Sequence, residues 1–514
     1  MAERVRTPCY MGIDTGTYET KGVLLDAGGA VIAQAAAAHA PESPRPGYFE
    51  CDAEEVFWED LCRVSRRLLE TAGVSAEDVS VLGISAMGPD VICVDGDGRP
   101  LRKAILYGVD SRASEEIAWL NGYYGEEQAS ELYGHRICSD DGAPKILWIE
   151  RHEPEVYAKA RYFLTGTSFL CAKLTGRYVI DAFLAQADFR PLYDGAGQIS
   201  GECRLYCRED QLAPARPAHS IAGTITPGAA ARTGLSTRTR VITGTGDSTA
   251  ESISCGIVKP GNLMIQLGST MFLYYCSDRD VRSEKIHGGS FVVPGTYKLS
   301  AGTNAAGALT RYIRDRFYTD LVEEERAGGE DAFRRMAELG GRVPAGSEGL
   351  LMLPYLAGER DPIHDPDAVG MLFGLTLRHT RDHIYRAGLE AVAYSAKQIL
   401  ACIEELGLPI GTIMVVGGGS RNALWLQILS DVLDRPVHTP AVSLGACYGG
   451  ALLAMLADGA LRDYDELAER IARGGTWLPD GERAALYARY FEIYRGLYPK
   501  TCELMHRLRG AGDR

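Results

Sequence analysis

Three short turns in this chain gather hydroxyls, backbone N–H groups and carboxylates at strand ends. Asp14-Thr15-Gly16-Thr17 follows the apolar run Tyr10-Met11-Gly12-Ile13 and leads into Lys21-Gly22-Val23-Leu24-Leu25. Such a turn aims N–H groups and hydroxyls outward, as a phosphate requires, and Asp14 can hold a hydrated metal ion. Taken alone it is as readily a plain turn. Gly268-Ser269-Thr270, between Asn262–Leu267 and Met271–Tyr275, offers the same equipment about half a chain later. Two such hairpins suggest two clamps on a polyphosphate. In Gly244-Thr245-Gly246-Asp247 a carboxylate stands after a Gly-x-Gly turn, at the start of a helix with Ser248 as its N-cap. Asp247 reads either as a carboxylate stabilised by the helix dipole or as a general base for a hydroxyl undergoing phosphoryl transfer. Spacing alone leans to the former. Gly417-Gly418-Gly419, after the apolar run Thr412–Val416, leaves bare backbone for a flat nucleotide, or is merely a tight turn.

Other chemistries fit poorly. No G-x-x-x-x-G-K-[ST] loop occurs, and Gly244-Thr245-Gly246 lacks the third glycine of a dinucleotide fingerprint. His379 and His383 are four apart, but Thr380-Arg381-Asp382 between them is not the Glu-bearing zincin pattern. Gly83-Ile84-Ser85-Ala86-Met87 lacks the second glycine of a nucleophile elbow. Cys203 and Cys207 form the only near pair among 13 cysteines, which read as reduced core residues. The 54 basic against 68 acidic residues give a net charge of −14, which argues against nucleic acid as partner. The N-terminal residues lack the apolar stretch of a signal peptide and no run is long enough to span a bilayer, so a cytoplasmic protein without membrane contact is expected. Glycine is the compositional outlier, 59 of 514 residues against an average usage of about 7%. That surplus suggests turns and close backbone approaches.

The elements that must position these turns are mixed. Strands are expected over 9–26, 79–85, 91–95, 240–243, 262–275 and 412–416, with amphipathic helices over 54–72, 383–406, 425–433 and 445–456. Residues of about 115–215 read as a helical, loop-rich insertion, and 464–509 as supporting helix. Strands and helices in this order make an α/β protein, and the recurrence of the strand–turn–strand unit at half-chain distance suggests two lobes of one architecture.

Together and in order, these segments resemble the FGGY family of carbohydrate kinases, within the actin-like ATPase superfamily. Gly12 to Lys21 is similar to the family's first phosphate hairpin, Gly244–Asp247 to the segment with its catalytic aspartate, and Gln266–Thr270 to its second hairpin. Pro354-Tyr355-Leu356-Ala357-Gly358-Glu359-Arg360-Asp361-Pro362, Gly370–Glu390 and Gly417-Gly418-Gly419-Ser420-Arg421-Asn422 resemble further signatures, with Gly388 replacing a larger residue. The resemblance implies a two-lobed, ribonuclease H-like ATPase fold with a cleft between the lobes. It places an N-terminal lobe at 1–255 on the sugar side, a nucleotide lobe at 256–460, and a helical extension at 461–514. ATP and Mg²⁺ are the implied cofactors. Asp247 would be the base, Asp14 and Asp247 would position Mg²⁺, and Gly16, Thr17, Lys21, Gly268, Ser269 and Thr270 would surround the phosphates. Gly307, Gly418, Gly419 and Asn422 would contact the nucleoside. Asp90, Asp110, Arg112 and Asp181 are the candidate sugar contacts, the alternative being surface or turn charges.

The substrate segments depart from the family pattern. Gly83-Ile84-Ser85 continues as Ala86-Met87-Gly88-Pro89-Asp90, neither the Gln-Met-His of xylulose-using members nor the Gln-Arg-Glu of glycerol kinases. The usual Trp-x-Asp-x-Arg becomes Tyr107-Gly108-Val109-Asp110-Ser111-Arg112, and Tyr18 and Glu19 replace small hydroxyl residues. The expected activity is ATP-dependent phosphorylation of a ketose hydroxyl, foremost a pentulose such as D-xylulose. A kinase for ribulose, glycerol or erythritol, and a non-catalytic sugar or nucleotide sensor, are the alternatives; a homodimer is left open.

Overall fold

The computed structural model describes residues 7–512. The chain forms two compact units: one through Val258 with Gly289–Tyr297 and Leu444–Arg470, the other from Lys259–Gly288, Lys298–Ser443 and the chain from Ile471.

The sheet of the first unit is built on Cys9–Thr15, every residue of which is buried. It pairs antiparallel with Glu19–Leu25, setting Asp14 opposite Lys21, and parallel with Val79–Ala86, setting Asp14 opposite Ser85. Arg240–Ile242 and then Thr245–Gly246 run parallel along the other side of Val79–Ala86. Three neighbouring parallel strands therefore end together, and their carboxyl ends present Asp14, Ser85 and Asp247. Open α/β sheets bind ligands at such ends.

Glycine makes this packing possible. A Cβ on Gly12 would stand 1.9 Å from the Cys447 carbonyl oxygen, and one on Gly83 equally close to that of Gly450. The helix Ala446–Asp458 thus lies directly on the sheet. The opposite face carries the helix Asp60–Ala72, whose Leu61, Val64 and Leu68 are fully buried. The inserted region is helical as expected, with Ser114–Tyr124, Glu126–Tyr133, Gly142–His152 and Gly166–Thr175 among its helices. It has its own core, in which Leu120, Tyr133, Ile146, Phe189 and Tyr206 meet.

The second unit repeats the plan. Its strands run Met271–Ser277, Leu263–Leu267, Ile413–Val416, Val437–Pro440, Arg473–Trp477. The first pair is antiparallel, the next two parallel and the last antiparallel. In the first unit Glu19–Leu25, Cys9–Thr15, Val79–Ala86, Arg240–Ile242 and Ile221–Thr224 follow the same order and the same directions. The helices Arg381–Glu405 and Ala423–Leu433 cover the second sheet with the long helix Gly481–Gly512, which contributes Tyr487, Phe491 and Tyr494 to the core.

Three local features differ from the sequence reading. Residues 464–509 include the strand Arg473–Trp477, not helix alone. Leu444–Arg470 packs with the first unit rather than with the segment preceding it. Gly246, not Ser248, is the N-cap of the helix Asp247–Ser254. Among the described residues, no helix is long and apolar enough to cross a membrane.

Candidate active site

Asp14 is the first polar residue that its strand delivers to the sheet end. The Ser85 hydroxyl donates to its Oδ1 at 2.7 Å, yet burial pushes the carboxyl up to about 6. Asp247 opens its helix, and the Ser248 N–H donates to its Oδ1 at 2.7 Å. Burial, and next the charge of Asp14, push Asp247 up to about 8. Glu251, one helical turn on, is raised to about 7 by burial and then by Asp14. Three carboxyl groups, Asp14 buried and Asp247 and Glu251 half-buried, therefore repel one another's ionisation, and Lys21 is a cation that acts on two of them. This is a site prepared for a positive charge. Glu251 is not among the residues that the sequence singles out.

The first hairpin turn is closed by the Gly16 N–H donating to the Glu19 carbonyl at 3.1 Å. Glu19 pairs with Lys21 at 2.9 Å, both side chains about half exposed, which accounts for a carboxylate beside this turn. The Thr17 hydroxyl meets the Tyr107 hydroxyl at 3.0 Å. Tyr107 is raised to about 12, first by burial.

Asp90 is fully buried, and among the described residues no side chain lies within hydrogen-bond distance of its carboxyl. Burial holds it well above the usual carboxylate range against the nearby Lys145 charge, and Asp247 adds to the shift. The Lys145 ammonium is itself buried, lowered first by that burial, and without a hydrogen-bond partner among the described residues. A buried ammonium normally finds a partner. Lys145 went unmarked in the sequence, although a cation inside Ala143-Pro144-Lys145-Ile146-Leu147-Trp148-Ile149 was the available signal.

The other sugar-side candidates are committed to protein. Arg112 donates from Nη2 to Asp110 at 2.7 Å and from Nη1 to Glu50 at 2.7 Å, and stacks on Tyr48 and Trp148. Asp110 also accepts from the Phe49 N–H at 2.6 Å. Both side chains are buried. Asp181 accepts from the Thr245 hydroxyl at 2.5 Å and caps the helix Ala182–Gln186 through the Phe183 N–H. It thereby fixes the strand that delivers Asp247.

In the second unit, Gly307 N–H donates to the Gly268 carbonyl at 2.9 Å, while Ala306 and Ala308 N–H groups donate to Ser269 at 3.0 and 2.9 Å. A Cβ at Gly307 would stand 2.5 Å from that Gly268 oxygen, so the helix Gly307–Phe317 begins in contact with the hairpin turn. The turn Gly418–Arg421 follows the strand Ile413–Val416, and a Cβ on Gly419 would meet Leu267 at 2.7 Å. Asn422 caps the next helix, accepting from the Trp425 N–H at 3.2 Å and donating to the Tyr385 hydroxyl at 2.9 Å. Gly268, Ser269, Thr270, Gly307, Gly418, Gly419 and Asn422 are thus one neighbourhood. His379 and His383 serve local structure instead, each accepting a backbone N–H at Nδ1 from Thr376 and Thr380.

The N-terminal domain of the FGGY family of carbohydrate kinases matches residues 9–254, and the C-terminal domain of that family matches residues 263–457. A xylulose kinase of Bacillus subtilis (strain 168) is 26% identical over 501 residues, covering 96% of this chain and 97% of its own. A gluconokinase of Bacillus licheniformis is 27% identical over 502 residues, covering 96% of each chain. The crystal structure of a xylulose kinase from Rhodospirillum rubrum superimposes with a TM-score of 0.88 at 28% identity, covering 97% of this chain and 100% of that one.

Proposed function

The chain belongs to the FGGY family of carbohydrate kinases, and on that premise we propose that it phosphorylates a pentulose such as D-xylulose, with Asp247 as the base. It has the actin-like fold of that family and is an ATP-dependent phosphotransferase acting on a sugar hydroxyl. Full-length similarity to xylulose kinases supports the pentulose.

The observation that carries the site assignment is the cluster of Asp14, buried, with Asp247 and Glu251, half-buried, two of its members held near or above neutrality. Those residues fit Mg²⁺, because hard carboxylate oxygens in an uncompensated negative site suit a divalent cation. Asp14 and Asp247 would hold it, and when bound it would neutralise phosphate charge and keep both carboxylates ionised. Asp247 then accepts the proton of the attacking sugar hydroxyl. In the first unit Gly16, Thr17 and Lys21 offer phosphate an N–H group, a hydroxyl and an ammonium, and in the second unit Gly268, Ser269 and Thr270 offer it N–H groups and hydroxyls. Gly307, Gly418, Gly419 and Asn422 bound the nucleoside. Positioning and charge neutralisation carry such a reaction, since phosphoryl transfer asks for little covalent chemistry from protein. On the sugar side Asp90 and Lys145 make direct contacts, while Asp110, Arg112 and Asp181 hold the surrounding backbone in place.

A second acceptor class, an aldonate such as gluconate, is favoured by one observation. Lys145 offers an unpartnered buried ammonium that a carboxylate would satisfy. ADP release measured over D-xylulose, ribulose, erythritol, glycerol and gluconate separates the readings. The pentulose assignment expects the highest kcat/KM with D-xylulose. Gluconate alone as acceptor would replace it, and nucleotide binding without acceptor-stimulated turnover would point to a sensor.

A further inference from the structure

The inserted region of the first unit holds a cluster of soft ligands that phosphoryl transfer does not use. Between the helices Glu126–Tyr133 and Gly142–His152 the chain reads Gly134-His135-Arg136-Ile137-Cys138-Ser139-Asp140-Asp141, with His135, Cys138 and Asp141 at intervals of three. The loop folds so that one ligand atom from each of the three lies within 4.8 Å of the others. His135 Nε2 is 3.0 Å from Asp141 Oδ1, and the other oxygen of Asp141 accepts the Cys138 N–H at 2.8 Å. The Asp141 side chain is 1% exposed and that of His135 17%. Among the described residues no other group of three or more His, Cys, Asp or Glu side chains converges in this way.

We propose that His135, Cys138 and Asp141 form a binding site for Zn²⁺ or a similarly thiophilic divalent cation, separate from the catalytic carboxylates. Zinc holds sulfur at about 2.3 Å and nitrogen or oxygen at about 2.0–2.2 Å, so tetrahedral ligands stand roughly 3.2–3.8 Å apart. The His135–Asp141 pair, at 3.0 Å, would open slightly, and the remaining separations, none above 4.8 Å, would close by at most about 1 Å to meet that spacing. Thiolate with imidazole selects such a metal over Mg²⁺, which prefers oxygen ligands. On coordination the thiol proton would leave to solvent, and one thiolate and one carboxylate would offset the dication. Three protein ligands leave the fourth position to water.

The loop is tied to the substrate side. Asp140 Oδ1 accepts the Gly108 N–H at 2.9 Å, and the Ser139 hydroxyl donates to the Gly108 carbonyl at 2.8 Å. Gly108 follows Tyr107, the partner of Thr17. The loop therefore adjoins the segment that borders the first phosphate hairpin.

Titration of the full-length, metal-free protein with Co²⁺ tests the site. One equivalent is expected to give the intense visible bands of tetrahedral cobalt and a sulfur-to-cobalt charge-transfer band, both abolished by one equivalent of Zn²⁺. Cys138→Ser should remove the charge-transfer band, and His135→Gln should weaken binding at least tenfold, with kinase turnover in metal-chelated Mg²⁺ buffer unchanged in both. Absence of the charge-transfer band from the wild-type protein at saturating Co²⁺ would overturn the proposal without recourse to any variant. So would bands that persist unaltered in Cys138→Ser.

Discussion

The Nε2 atom of His39 lies 2.8 Å from the carbonyl oxygen of Gly16, in the first phosphate hairpin, while Nδ1 lies 2.8 Å from Asp60 Oδ2. Both partners can only accept, so both ring nitrogens must donate, and the imidazolium is the form that fits. Arg63 shares the Asp60 carboxylate at 3.0 Å. Burial opposes the His39 charge, but the Asp60 and Gly16 hydrogen bonds, with the charges of Asp60 and Glu19, outweigh it and raise the pKa.

A raised histidine pKa fixes the sign of the pH effect. The His39 contribution is fully present below its unfolded pKa of about 6.5 and is lost as pH rises through its higher folded value. The KM for ATP should therefore rise as pH passes through that folded value, and His39→Gln should show the raised KM even at acidic pH. A wild-type ATP KM whose pH profile matches that of His39→Gln would remove His39 from the hairpin's support.

Asp110→Ala should behave as a folding lesion before it behaves as a binding one. It leaves Arg112 buried with one carboxylate fewer, and breaking a buried pair costs about 3–5 kcal/mol. Denaturant midpoints should fall accordingly. Lys145→Met, by contrast, should preserve the midpoint, raise the sugar KM at least tenfold and leave the ATP KM nearly unchanged. Equal losses for both substrates in Lys145→Met would show that Lys145 acts on the fold rather than on the sugar.

Gly83→Ala should destabilise the first unit by at least about 1–3 kcal/mol, the usual cost of overpacking. The new methyl would stand 1.9 Å from the Gly450 carbonyl oxygen, a backbone atom that cannot rotate away. Thermal unfolding reads this directly, and an unchanged Tm would show that the helix Ala446–Asp458 does not press on this strand.

These relationships also mark what the sequence could disclose. Both hairpins were legible, because strand, Gly/Ser/Thr turn and strand are adjacent in the chain. Buried runs such as Thr412–Val416 announce themselves by composition, and the long helix His383–Leu406 was placed to within two residues of its observed limits, Arg381–Glu405. The strand Arg473–Trp477 was missed since its Arg-Gly-Gly-Thr-Trp sequence is a largely exposed edge without apolar alternation. Its partner Val437–Pro440 is set by tertiary pairing. The return of Leu444–Arg470 to the first unit is likewise non-local; the glycine surplus hinted at close packing but not at which backbones meet. The pairing of Asp110 with Arg112 is local, but the partners that complete it, Glu50 for Arg112 and the Phe49 N–H for Asp110, lie 62 and 61 residues away and leave no mark in the local sequence.

Asp14→Asn should alter Mg²⁺ dependence more than acceptor binding. Removing one carboxylate charge from the Asp14, Asp247 and Glu251 group weakens its hold on the cation. Half-maximal activity should shift to higher Mg²⁺, with part of the lost turnover recovered there. Unaltered Mg²⁺ dependence would assign Asp14 to structure through Ser85 alone.

The central claim is that Asp247 takes the proton of the acceptor hydroxyl, and steady-state turnover of Asp247→Asn at saturating sugar, ATP and Mg²⁺ tests it most directly. The asparagine keeps the side chain's size and removes its basicity. General base catalysis is worth about 10²–10⁴-fold, so kcat should fall by at least that order while both KM values change little. Retention of most of the turnover by Asp247→Asn would contradict the assignment, and a raised KM with kcat intact would make Asp247 a binding residue.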